Sequence, residues 1–204
     1  MKRIILLLLL FAAVPCSQYA ASAHSHKHDI GATVQQGGPP NSVILIIRHA
    51  EKPDEGAGLA PQGDERAKAY VRYFETYKYN GAPLHFDDLF ASRDSAGSMR
   101  PRLTLEPLSH ALGMPLQTPY KDKDIADIAA EIQTVGPGKH ILICWHHGEI
   151  PDLLAALGAD PNQLLPDGTW PDNQYGWLIQ LSFDSRGHLI PQLTKRVDEH
   201  LALK

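Results

Sequence analysis

The sequence predicts an α/β fold, a three-layer α/β/α sandwich around a mostly parallel central sheet. Three observations carry that expectation. Strand-like and helix-like segments alternate from Ser42 onward. The runs SVILII and HILIC have no polar interruption, as strands covered on both faces require. The stretches between them carry apolar residues at helical spacing.

SVILIIR at 42–48 reads as the first strand, and PQGDERAKAYVRYFETY at 61–77 as a helix with Ala67, Tyr70, Val71 and Phe74 on one face. FDDLFAS at 86–92 is the next strand, followed by a helix over SMRPRLTLEPLSHALG at 98–113. Pro101 suits a first turn there. Pro107 removes an interior backbone donor at a cost of about 3 kcal/mol, so a kink or restart is expected near it. DIADIAAEIQTV reads as helix and HILICW as buried strand, and IPDLLAALG is a helix presenting Ile150, Leu153, Leu154 and Leu157 together. YGWLIQLSFD and HLIPQLTKRV, joined by SRG, close the chain as a hairpin. The loop before them, PDGTWPDNQYGW, brings Trp170, Tyr175 and Trp177, which are expected to pack into the core rather than cover the sheet's rim.

Ahead of this domain, assigned to residues 42–204, Lys2 and Arg3 precede an apolar run from Ile4 to Val14 and the small residues Ala21-Ser22-Ala23. That is the layout of a secretory signal peptide over residues 1–23. The run is shorter than the about 20 residues a spanning helix needs, so no stable membrane insertion is expected after cleavage. A lipid anchor on Cys16 is the other reading, and Pro15 before it suits that processing poorly. The chain is therefore expected to be exported, to the periplasm or the medium. Residues 24–41, rich in His, Gly, Gln and Pro, read as a flexible lead-in. Cleavage after Ala23 would place His26 third from a new amino terminus, where that amine, two amides and the imidazole form a square-planar set for Cu(II) or Ni(II). The plainer reading of His24, His26 and His28 is a solvated tail.

Cleavage removes two of the 19 basic residues and none of the 23 acidic ones, leaving a formal charge of −6. A mildly acidic body excludes nucleic acid and anionic membrane as obvious partners, because both select a concentrated positive field. Cys144, inside HILICW, would be the one cysteine left, and its apolar surroundings read as core.

In open α/β sheets ligands bind beyond the carboxyl ends of the strands. Three such ends are unusually polar here: RHAEKP after SVILII, ASRDSAGSMRP after FDDLF, and WHHGEIP after HILIC. Arg48, His49, Arg100 and His146 or His147 would share one rim. Two arginines and two imidazoles converging on a point suit a tetrahedral dianion such as phosphoryl. Arginine donates paired hydrogen bonds and stays charged, and an imidazole whose tautomer is fixed can act as nucleophile. Pro151 suits a first turn, so the backbone amides just before it would point at the same anion.

The ordered set RHAEKP, SMRPRLT and HHGEIPDLLAALG, with LAPQG leading into the first helix, resembles the histidine phosphatase (phosphoglycerate mutase-like) superfamily. The resemblance implies that His49 accepts the phosphoryl group, that Arg48 and Arg100 clamp it, and that one histidine of the third segment completes the pocket. The resemblance favours Arg100 over Arg102, because the family's arginine stands four residues before a threonine, here Thr104. A pattern of His, three residues and Ile-Pro selects His146; a pattern of Trp, one residue and His-Gly-x-Ile-Pro selects His147, which Trp145 favours. A phosphatase also needs an acid for the leaving oxygen. Glu51, Asp54, Glu55, Asp94 and Glu149 lie near the rim in sequence, with Glu149 and Glu51 the leading candidates. The expected partner is a small phosphorylated substrate. No cofactor or metal is needed, since the arginines supply the charge stabilisation. The alternative is a binding protein on the same fold that holds a phosphorylated ligand, or handles metal, without turnover.

Overall fold

The computed structural model describes residues 37–203. The signal peptide, Cys16 and the histidines at 24, 26 and 28 lie outside the described residues. The elements are β1 (Val43–Arg48), α1 (Pro61–Glu75), β2 (Lys78–Tyr79), β3 (Ala82–Pro83), β4 (Asp88–Ala91), α2 (Arg100–Leu112), β5 (Leu116–Gln117), α3 (Ile125–Thr134), β6 (His140–Trp145), α4 (Ile150–Ala156), α5 (Pro161–Leu164), β7 (Trp177–Ser182) and β8 (Lys195–Asp198). Among the described residues no helix is long and apolar enough to cross a membrane.

Six strands form one sheet in the order β5-β4-β6-β1-β7-β8, while β2 and β3 pair separately around Asn80-Gly81, a favoured two-residue turn. β1, β4, β5 and β6 run parallel and β7 returns antiparallel beside β1, so the sheet is mostly parallel. The unbroken runs occupy its centre because β1 and β6 are covered on both sides. Val43, Leu45 and Ile47 face α1 and α2, packing with Tyr70, Phe74, Leu105 and Leu108. Ile44 and Ile46 face α3 and α4, packing with Ile128, Ile132, Leu153 and Leu154. Cys144 is fully buried, and burial pushes its thiol well above the usual range.

Three expectations need correction. Of the kink or restart expected at Pro107, α2 shows no restart, for Pro107 lies inside one continuous helix. Leu105 and Leu108 flank it, both fully buried. Each contributes about 1.5–3 kcal/mol, enough together to offset one lost hydrogen bond and the ring's crowding. The closing hairpin is interrupted: Phe183 bridges Leu189 near its turn and Gln180 pairs with Lys195, so the longer second arm is taken up by a 3-10 turn at Pro191–Leu193. Residues 37–41, expected in the flexible lead-in, are packed. The Gly38 amide donates to Gly187 O at 3.1 Å, Asn41 N to Asp184 O at 2.8 Å, and Pro40 O accepts from Gly138 N. A Cβ at Gly37 would lie 2.5 Å from Gly187 O, so this clasp depends on the missing side chain.

Candidate active site

β1 delivers two charged or polar side chains straight from the core. Arg48 is 1 % exposed and His49 2 %. A buried imidazole must spend its polar atoms on partners, and His49 Nδ1 lies 2.7 Å from Ala50 O. A carbonyl only accepts, so Nδ1 carries the hydrogen and Nε2 keeps its lone pair. Burial, with lesser repulsion from His146, Arg48 and Arg100, pushes the His49 pKa down to about 3 against the opposing bond to Ala50. The ring is neutral at ordinary pH and offers one free nitrogen.

Arg48 is gripped from the far side of the chain. Its Nη1 donates to Pro171 O at 3.1 Å, Asp172 O at 2.7 Å and Gln174 O at 3.0 Å. Its guanidinium carbon lies 3.9 Å from the centre of the Tyr175 ring. That ring also tilts over His49, centre to centre 6.4 Å. The loop before β7 thus divides its aromatics: Trp170 enters the core, whereas Tyr175 covers the rim. Sequence reading expected Tyr175 in the core and missed Asp172, for a loop carbonyl or a lone ring has no spacing to signal its place.

Arg100 opens α2. The Arg-x-x-x-Thr spacing has a structural use, since Thr104 Oγ1 donates to Arg100 O at 2.8 Å and accepts from Ala50 N at 2.9 Å, tying α2 to the residue after His49. Arg102 turns elsewhere, to Asp94 at 2.8 Å and Glu106 at 3.0 Å.

The two histidines after β6 have separate settings. β1 and β6 pair in parallel up to Arg48↔Trp145, and the His49 amide continues the ladder to Trp145 O at 3.0 Å. One step on, His49 falls beside His146, and their ring centres lie 5.1 Å apart, edge to face. His147 stands in the turn that follows β6. Its Nε2 meets Asp172 Oδ1 at 2.6 Å, while Nδ1 is buried without a partner. Burial lowers the pKa of both rings. The backbone amides expected to face the anion do not: those of Glu149 and Ile150 both turn back to His146 O at 3.1 Å.

Three of the five acidic candidates are engaged. Both Glu51 oxygens accept from Arg66, whose Nη1 also reaches Glu199 at 3.2 Å in a buried cluster with Tyr70. Glu149 pairs with Lys123, and Asp94 with Arg102. Asp54 and Glu55 are exposed in the turn after β1.

Among the described residues, the buried side-chain atoms without a partner are Arg48 Nε and Nη2, Arg100 Nε, His147 Nδ1 and Ser92 Oγ. Unsatisfied buried groups are rare in folded proteins and need a reason. Here all five belong to residues at the carboxyl edge of the sheet, and three of the residues are those expected to meet an anion.

No family model matches the sequence, and no curated protein matches it. Among solved structures the chain is similar to phosphoglycerate mutase from Plasmodium falciparum, with a TM-score of 0.52 and 12 % identity over 80 % of this chain and 94 % of that one. It is also similar to a mutant phosphoserine phosphatase from Entamoeba histolytica in complex with phosphoserine, with a TM-score of 0.48 and 14 % identity over 73 % and 94 % of the two chains. The element order, the mostly parallel sheet and the first of these likenesses show that the chain has the phosphoglycerate mutase-like fold.

Proposed function

We propose that this chain is an exported phosphatase that hydrolyses a small phosphomonoester through a phosphohistidine on His49. The observation that carries the reading is the state of His49: a buried, neutral imidazole whose Nδ1–H is fixed on Ala50 O, leaving Nε2 as the available nucleophile. Arg48 and Arg100 keep unpaired guanidinium nitrogens beside it. An arriving dianion satisfies those donors, and the developing charge in the transition state gains most from them because the site is desolvated.

In this reading Nε2 attacks phosphorus in line with the leaving oxygen, and His146, ring against ring with His49, completes the phosphate pocket. Water then attacks the phosphohistidine and releases phosphate. Export rests on Lys2-Arg3, the apolar run and Ala21-Ser22-Ala23. Amino-terminal sequencing of the protein recovered outside the cytoplasm is expected to begin at His24.

Brief exposure to a labelled phosphomonoester is expected to leave acid-labile, base-stable phosphate on the protein, and His49→Ala to abolish both label and turnover. Anion binding with no covalent label and no released phosphate from a broad panel would instead select the binding-protein alternative.

A further inference from the structure

We infer that His147, held through Nε2 by Asp172, is the acid that gives a proton to the leaving oxygen; this rests on the phosphatase reading above. A phosphohistidine route needs such a group, because an alkoxide leaves poorly. Three of the five carboxylates near the rim are committed to cations, Glu51 to Arg66, Asp94 to Arg102 and Glu149 to Lys123, and the other two, Asp54 and Glu55, are exposed in the turn after β1. His147 is differently placed. Its Nε2 is fixed at 2.6 Å from Asp172 Oδ1, its Nδ1 is buried and unpartnered, and Asp172 also gives its backbone carbonyl to Arg48.

A carboxylate only accepts, so Nε2 carries a hydrogen in either charge state and any further proton must sit on Nδ1. That is the arrangement in which a carboxylate orients an imidazole and stabilises its cation. Burial and three charged groups act on the ring, and the neighbouring His146 is coupled to it. Burial and Arg48 from β1 disfavour its protonation, while Asp172 from the loop before β7 and Glu149 from the start of α4 favour it. Burial is the largest of these influences, and a bound phosphate dianion adds a negative charge that favours the proton.

The step balances. The lone pair of His49 Nε2 forms the N–P bond, the P–O bond breaks with its electron pair on the leaving oxygen, and the Nδ1 proton of His147 moves to that oxygen to give the alcohol. Water then attacks phosphorus, the N–P pair returns to His49, and the proton lost by water restores His147. In this scheme His147 is a catalytic residue and Asp172 a positioning residue. The two histidines that sequence patterns set as alternatives then hold separate posts, His146 beside the nucleophile and His147 at the leaving group.

The test is a series of para-substituted phenyl phosphates of similar size and graded leaving-group basicity, assayed with the wild type, His147→Gln and Asp172→Asn. His147→Gln is expected to cost p-nitrophenyl phosphate less than about fivefold in kcat/KM, which reports formation of the phosphohistidine alone, and p-methoxyphenyl phosphate about 100-fold or more. The dependence on leaving-group basicity therefore steepens. Asp172→Asn, at an exposed side chain, keeps the backbone carbonyl that Arg48 uses and is expected to steepen it less. An equal loss across the series, or none, in both variants overturns the inference while leaving the phosphatase reading standing. No turnover and no phosphohistidine with the wild type overturns both.

Discussion

His49 pays for its neutrality in acid. The folded ring resists a proton until about pH 3, whereas the unfolded ring takes one near its ordinary pKa of 6.5. Between those values the unfolded state binds the extra proton, so this contribution to stability is intact above 6.5 and is lost as pH falls toward 3. Each pKa unit corresponds to about 1.4 kcal/mol, which gives a loss of about 2 kcal/mol by about pH 5 and about 3 kcal/mol by about pH 4. The perturbation is His49→Gln, which removes this titration. Urea denaturation of both proteins across that range, in buffers free of phosphate, measures the difference between them. The stability of the variant relative to wild type is expected to rise by about 2 kcal/mol between about pH 8 and about pH 5. Two parallel curves would refute the reasoning, for they would mean that the folded ring protonates as readily as the unfolded one.

Three further outcomes follow from the same geometry. Burial pushes the Glu199 carboxyl up to about 8, so the unfolded state ionises first and stability falls as pH rises from 4.5 toward 8. Glu199→Gln is expected to remove about 2 kcal/mol of that decline between about pH 6 and about pH 8 in urea melts. Tyr175→Leu takes the ring from the Arg48 guanidinium, and a desolvated cation–π contact of about 1–2 kcal/mol predicts a Kd for inorganic phosphate raised about 5- to 30-fold by calorimetry. Gly63→Ala puts a Cβ 2.6 Å from Glu51 O, the carbonyl that accepts from Ala60 N at the start of α1. A loss of about 1–3 kcal/mol is expected in thermal or urea unfolding.

Much of the fold was legible because its signals are local and redundant. The runs 43–47 and 141–145 contain no polar residue, and only a strand covered on both faces tolerates that. Pro107 misled because a propensity is a local cost, while the two leucines beside it act through a sheet distant in sequence. The clasp at 37–41 was hidden for the opposite reason: glycine and proline look like linker until Gly187 comes to meet them. The site divides in the same way. The neighbourhood of Arg48, His49 and Arg100 could be anticipated from polar breaks at strand ends. The place of His146 beside His49 follows from register, as Arg48 pairs with Trp145. That offset of 97 residues is not written in either segment alone. Tyr175, Asp172 and the carbonyls around them belong to a loop whose conformation no periodicity describes.

Three carbonyls on one nitrogen of Arg48 have a consequence for how such a site can diverge. Loops above a sheet are ordinarily the freely variable part of an α/β enzyme, yet the stretch from Pro171 to Gln174 is anchored to the very cation proposed to hold the anion. Inserting or deleting a residue there would move the guanidinium as well as the roof. Lysine would not substitute, since a single ammonium cannot bind three loop carbonyls with one nitrogen and still present two others elsewhere. Variation in what the pocket accepts is therefore channelled toward side chains on a fixed backbone, and Asn173, whose backbone carbonyl is not among those Arg48 uses, is the position within that stretch with the most room to change.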